Sequence, residues 1–205
     1  MTAAIVLAAG LSRRMGRFKL TLPWGDRTVI GQVVATLEAA GSEEIVVVTG
    51  HRSAEITATL AGTTAQVIFN PDYASGEMSS SIRAGLRALD AGVAATLLCL
   101  GDQPQMEAGT VRAVLAAGAA EDWQNIVIPS YRMRAGHPIL LPAWLWPEIL
   151  NCAGTLRDVM TAHRARTHFL VVDTPAILAD LDTPEDYAAG TPKRETLDVT
   201  TSQGR

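Results

Sequence analysis

Lysine is nearly absent from this chain. Of 17 Lys and Arg residues, all but Lys19 and Lys193 are arginine, and the formal net charge is −4. That balance argues against a nucleic-acid binder working by broad electrostatics. Cysteine is equally sparse. Cys99 and Cys152 are the only two, far apart and without metal-ligand spacing, which excludes a disulfide framework and suits a reducing cytoplasm. No apolar run approaches the length of a membrane span. The first apolar run is short, lacks a basic region before it, and does not read as a signal peptide. The GxxxxGK[ST] pattern of a P-loop and the GxGxxG of a dinucleotide turn are both missing. Internal repeats and low-complexity tracts are absent too. With 205 residues, 48% of them hydrophobic, the chain can bury a full core without staples or a structural metal.

What is present begins at once. Ala3 to Ala9 is an apolar, Ile- and Val-containing run that reads as a short buried strand. It leads into Gly10-Leu11-Ser12-Arg13-Arg14-Met15-Gly16-Arg17-Phe18-Lys19. Small residues let backbone N–H groups approach a phosphate, and Arg13, Arg14, Arg17 and Lys19 can supply the countercharge.

Apolar runs then alternate with helical patterns. Val29 to Ala40 has helical spacing and is closed by Gly41. Ile45–Val48, Val67–Phe69, Thr96–Leu100, Ile126–Ile128 and Phe169–Val172 read as strands. Helices are predicted from about Ala54 to Leu60, Met78 to Leu89, Gly109 to Ala117, Pro142 to Leu150 and Thr155 to His163. Leu181 reads as a strand end before a last helix capped by Thr183, with Pro184 at its first position. This alternation predicts an α/β fold with a mainly parallel central sheet and helices on both faces. One domain is expected over 1–188, with a mobile tail over 189–205. Ligands of such sheets bind beyond the carboxyl ends of strands. The loops after Ala9, Val48, Phe69 and Leu100 are therefore expected to converge on one site.

Further candidates sit on those loops. Asp102, in Gly101-Asp102-Gln103-Pro104, reads as a Mg²⁺ ligand or as a cap of the next helix; beside a phosphate loop the metal reading is preferred. Asp182 reads equally as a second metal ligand or as a turn residue. Asn70 ends a strand, and Ser79, Ser80 and Ser81 open a helix, which suits either capping or a polar ligand. His137, in Gly136-His137-Pro138, follows Arg132 and Arg134, so an anion-binding loop stands beside a purely structural role. Trp24, Trp144 and Trp146 read as packing residues or as lining for a flat ring.

Taken together, Leu7 to Lys19, Leu22-Pro23-Trp24, Thr49-Gly50-His51-Arg52, Asn70-Pro71-Asp72-Tyr73, Gly76 with Ser79 to Ser81, Gly101 to Pro104, Gly136 to Pro138 and Leu181 to Asp186 resemble the molybdenum cofactor cytidylyltransferases of the MobA-like group. The resemblance runs in matching order through all but the tail. Ala8-Ala9-Gly10 is similar to the cytidylyl branch, whereas guanylyl relatives usually carry Gly-Gly at the last two positions. The resemblance implies a three-layer, Rossmann-like nucleotidyltransferase fold. It implies a Mg²⁺-dependent enzyme that moves CMP from CTP to the phosphate of molybdenum-bearing molybdopterin, with a client molybdoenzyme as a further partner. Leu7, Ala8, Ala9, Gly10, Ser12, Arg13, Lys19, Gly50, Asn70, Ser80 and Asp102 would bind nucleotide. Arg13, Lys19 and Asp102 would be catalytic, Asp102 and Asp182 would hold Mg²⁺, and Gly136, His137 and Pro138 would face the pterin. The competing readings are a relative that uses GTP or another phosphate acceptor, and a non-catalytic carrier of the finished cofactor.

Overall fold

The computed structural model describes residues 1–75 and 77–192. In chain order its elements are β1 (Thr2–Ala8), the small hairpin β2 (Pro23–Trp24) and β3 (Arg27–Thr28), α1 (Val29–Ala40), β4 (Glu44–Thr49), α2 (Ser53–Thr59), β5 (Gln66–Phe69), α3 (Met78–Ala88), β6 (Ala95–Leu100), α4 (Ala108–Ala120), β7 (Ile126–Tyr131), β8 (Arg134–Ala135), β9 (Ile139–Pro142), α5 (Trp146–Asn151), α6 (Leu156–Ala162), β10 (Thr167–Val171) and α7 (Pro184–Gly190). The main sheet runs β10-β7-β9-β6-β1-β4-β5, and β8 folds back on β7. Pairing is parallel at β1–β4, β1–β6, β4–β5 and β7–β10. β9 is antiparallel to both of its neighbours, β6 and β7.

Side-chain alternation along the strands divides the core into two. Ala4, Val6 and Ala8 of β1 face the layer built on α1 and α4, with Val29, Val33, Leu37, Val111 and Val114. Ile5, between them, faces Ile82 and Leu86 of α3 and Ile149 and Val159 of α5 and α6. A strand apolar on both faces needs cover on both sides, and the result is three layers.

Local signals set the helix ends. Thr28 accepts from the Gly31 N–H at the start of α1, and Gly41 closes that helix at φ 88°. Thr155 with Asp158, and Thr183 with Asp186, form reciprocal capping boxes at α6 and α7. One expectation is corrected and two alternatives fall away. Leu181 ends no strand; a 3-10 turn, Pro175–Leu178, precedes it. The residue before α3 is Glu77, not Ser79. Asp102 caps nothing, because α4 starts after Glu107. The last helix runs on through Gly190, and residues 193–205 of the expected tail lie outside the described residues.

At the functional end of the sheet, the Gly101 N–H donates to the Leu7 carbonyl at 3.0 Å. A Cβ at Gly101 would lie 2.9 Å from that same backbone oxygen. β1 and β6 can therefore leave the sheet side by side only with glycine there. Gly101→Ala is expected to cost about 1–3 kcal/mol of stability, read as a lower urea midpoint. Gly10→Ala, which meets nothing within 4 Å, is expected to leave that midpoint unchanged.

Candidate active site

An open cleft of about 620 Å³ lies beyond the carboxyl ends of β1 and β6. Its walls are Leu7 to Ser12, Arg14, Met15, Lys19 and Leu20 from the first loop, Tyr73 to Ser75 with Glu77, Met78 and Ser81 at the start of α3, and Leu100, Asp102, Asp180 and Asp182. That volume is typical of a small-molecule site.

Lys19 is its electrostatic centre. Nζ donates to Asp102 Oδ2 at 2.5 Å and to the Leu181 carbonyl at 2.8 Å, and lies 3.5 Å from Asp182 Oδ1. The side chain is only 12% exposed. Two neighbouring carboxylates repel each other unless a cation stands between them, and here the lysine ammonium is that cation. The backbone fixes the arrangement from both sides. The Lys19 N–H reaches Ser12 Oγ at 3.4 Å, and the Leu181 N–H donates to the Asp102 carbonyl. Arg14 adds a more exposed ion pair to Asp182 at 3.0 Å.

Asp180 is a third cleft carboxylate. Gln103, itself buried, donates Nε2 to Asp180 Oδ1 at 2.6 Å. Desolvation of its carboxyl raises the Asp180 pKa above the ordinary value. The Gln103 bond opposes that shift, and the charges of Asp102 and Asp182 add to it.

Among the described residues no cluster of three or more His, Cys, Asp or Glu is arranged to hold a metal ion. Asp102 and Asp182 do share one cation, however. Two carboxylates completed by substrate phosphate oxygens and water are a normal Mg²⁺ set, so these residues suit a divalent ion that arrives with a nucleotide.

The residues singled out from the sequence fall into three groups. Leu7, Ala8, Ala9, Gly10, Ser12, Lys19, Asp102 and Asp182 line the cleft together. Asn70 and Ser80 stand behind its wall. Asn70 is buried, donates to Ser80 and Ser81 Oγ at 2.9 and 3.0 Å, and accepts from the Asp72 N–H. Its polar groups thus brace the turn into α3. Gly50, Gly136, His137 and Pro138 are not among the lining residues, and the description of Arg13 does not extend to its side chain.

Three of the four strand-end loops meet at the cleft; the one after β4 does not. A Cβ on Gly50 would overlap the Tyr73 ring at 2.5 Å, so that ring is stacked over the loop's backbone. His51 packs edge-on against Phe18, and the Arg52 guanidinium lies over the same ring. The loop buttresses Phe18 just before Lys19.

Gly136 to Pro138 is tied to the turn at Ile177, whose carbonyl accepts the His137 N–H. Burial lowers the His137 pKa to about 4, against an opposing pull from Asp102. At neutral pH its imidazole is uncharged and offers no cation to a phosphate. Trp24 packs in the core beside Tyr187, and Trp144 and Trp146 pack against the core layer that holds Ile149 and Val159, all away from the cleft lining. Asp180 was missed in the sequence, and Arg14 was read there only as a source of countercharge, not as the partner of Asp182. The family pattern drew attention to the neighbouring Arg13, and Asp180 carries no motif signal beyond its place two residues before Asp182.

A family model described as the MobA-like NTP transferase domain matches residues 4–168. The chain is 30% identical over 187 residues to the molybdenum cofactor cytidylyltransferase of Escherichia coli, covering 89% of this chain and 92% of that one. Among solved structures, it resembles a nucleotidyl transferase from Methanothermobacter with TM-score 0.78 and 29% identity, covering 92% and 95% of the two chains. It also resembles Rv0371c of Mycobacterium tuberculosis, solved as a manganese complex, with TM-score 0.73 and 27% identity over 93% and 97%.

The depressed His137 pKa has a stability consequence. Between about 4 and the ordinary 6.5, the unfolded chain binds a proton at this site that the folded chain does not. Folding stability is therefore lost as pH falls through that window. His137→Gln is expected to flatten the fall in urea-unfolding free energy between pH 7 and pH 4, relative to the unmodified chain.

Proposed function

We propose that this chain, which belongs to the MobA-like NTP transferase family of nucleotidyltransferases, transfers CMP from CTP to the phosphate of molybdenum-bearing molybdopterin. The observation that carries this reading is the clustering of Lys19, Asp102 and Asp182 at the mouth of a nucleotide-sized cleft. The cytidylyl choice rests on Ala8-Ala9-Gly10 and on the similarity to the E. coli cytidylyltransferase.

In the proposed reaction, an oxygen of the pterin's phosphate monoester attacks the α-phosphorus of CTP. A new P–O–P link forms, the bond to the β-phosphate oxygen breaks, and pyrophosphate leaves. The nucleophile is already anionic at neutral pH, so no general base is required. The backbone of Leu7 to Gly10 borders the nucleoside, and Ser12 with Lys19 holds the triphosphate. Asp102 and Asp182 would hold Mg²⁺, which when bound neutralises phosphate charge. Lys19 must then let go of the carboxylates and turn to phosphate oxygens. Catalysis comes from alignment and charge neutralisation rather than from proton transfer. In this reading the Gly136–Pro138 loop faces the pterin, and the uncharged His137 contributes hydrogen bonding and shape rather than charge.

A GTP-using relative, an enzyme for another phosphate acceptor, and a non-catalytic carrier are the competitors. Pyrophosphate release with molybdenum-loaded molybdopterin is expected with CTP and at least tenfold less with GTP or ATP. Release with GTP alone would move the chain to the guanylyl branch, and retention of finished cofactor without release would make it a carrier. Lys19→Ala is expected to lower turnover at saturating CTP on the order of 10²–10³-fold, a typical loss for one transition-state cation or donor. Asp102→Ala is expected to abolish Mg²⁺-dependent turnover. Both variants should keep the fold, as read by circular dichroism; full turnover in either would remove that residue from the machinery.

A further inference from the structure

We propose that β10 is a contact surface between two copies of this chain, which pair edge to edge through antiparallel strands related by a two-fold axis at Phe169. Among the described residues β10 has one neighbour, β7, and forms the open end of the sheet. Edge strands are normally blunted by charges, proline or a bulge. Thr167–Val171 carries no Lys, Arg, Asp, Glu or Pro, and its histidine is engaged with Glu121 at 3.3 Å. Leu170 packs inward on the core. On the opposite face Phe169 is 52% exposed and Val171 79% exposed. The strand is therefore anchored on one side and bare on the other.

Its backbone is poised in the same sense. Val171 stands opposite Ser130 of β7, and the Val172 N–H donates to the Ser130 carbonyl. In a parallel ladder alternate residues turn to the neighbour, so Leu170 and Val172 face β7. The amide groups of Phe169 and Val171 face outward. The Thr167 N–H already closes the preceding turn at Arg164, and among the described residues outside the strand ladders no backbone N–H donates to its carbonyl. With Phe169 opposite the partner's Phe169, the two residues exchange both of their hydrogen bonds. Each Val171 N–H reaches the Thr167 carbonyl across the axis, and the two phenyl rings meet on one face as a cross-strand aromatic pair.

Charge favours the antiparallel sense. Arg164 and Arg166 precede the strand, and Asp173 follows it. Antiparallel pairing brings the basic end of each strand to the acidic end of the other, whereas parallel pairing would set like against like. The opposite edge of the sheet is less suited. β5 is four residues long, gives way to Asn70-Pro71, and has its Phe69 ring engaged with Tyr73.

The contact is small, so a weak dimer is expected, with dissociation in the micromolar range. The test needs no nucleotide or acceptor and is independent of the enzymatic reading. Sedimentation velocity of the full chain over a concentration series should show a monomer–dimer equilibrium. Amide hydrogen exchange at Phe169 and Val171 should slow as concentration rises. Phe169→Lys, at an exposed position, should abolish the dimer without moving the melting temperature. Asp173→Arg should weaken it at least tenfold, and adding Arg164→Asp should restore it. The proposal is overturned by a monomer at all concentrations, by assemblies larger than a dimer, or by a dimer indifferent to Phe169→Lys. Slow exchange at Phe169 and Val171 in a monomer would also overturn it, because the chain's own residues 193–205 would then cover this edge.

Discussion

A single ammonium group holds the functional end of this molecule together. Lys19 Nζ joins three stretches far apart in sequence: its own loop after β1, Asp102 after β6, and Leu181 with Asp182 before α7. Remove that charge and Asp102 loses its cation, while Asp182 keeps only the more exposed Arg14. Backbone bonds run beside it, from Leu181 to Asp102 and from Gly101 to Leu7, so the clamp sits on a framework already in register. The mouth of the free protein is thus neutralised from within. In the proposed reaction the phosphates of a nucleotide would claim the lysine, and Asp102 and Asp182 would hold its divalent ion, so the same balance would be kept.

The sheet explains why these groups meet. β1 lies between β4 and β6, all three parallel, so the loops that leave β1 and β6 emerge next to each other at one end. Small residues keep that end open: Ala8 lies under the loop, and Gly101 lets the two strands exit in contact. The turn into α3 forms the far wall, held by Asn70 through its bonds to Ser80 and Ser81. The buried Asn70 side chain braces that turn, which carries Ser81 into the cleft wall.

Much of this was legible in the residues. Apolar runs of β-branched residues marked the strands, 3.6-residue spacing and Gly41 bounded α1, and Thr183 with Pro184 marked the start of α7, where the structure forms a capping box. The opening loop was legible because glycine, serine and a solitary lysine follow a buried strand. Strand direction was not. Ile139–Leu141 is apolar throughout, and nothing in such a run says that β9 inserts antiparallel between β6 and β7. Nor does the local sequence after β4 say that Tyr73 will close over Gly50 and turn that loop toward Phe18. Asp180 escaped notice because its role depends on a partner distant in the chain, Gln103, and Arg14 read only as countercharge for a phosphate because its partner Asp182 is equally distant. The neutrality of His137 follows from burial, which a tripeptide of glycine, histidine and proline does not reveal.

The scarcity of lysine makes the central claim unusually accessible. With Lys19 and Lys193 the only lysines, protein labelled with ¹⁵N and ¹³C at lysine alone gives two side-chain signals. Titration with Mg²⁺ and a non-hydrolysable CTP analogue is expected to shift the Lys19 Nζ and Cε resonances as its carboxylate partners give way to phosphate, while the Lys193 signals stay in place. A Lys19 signal that stays fixed while the analogue binds, its ion pair with Asp102 intact, would contradict the account.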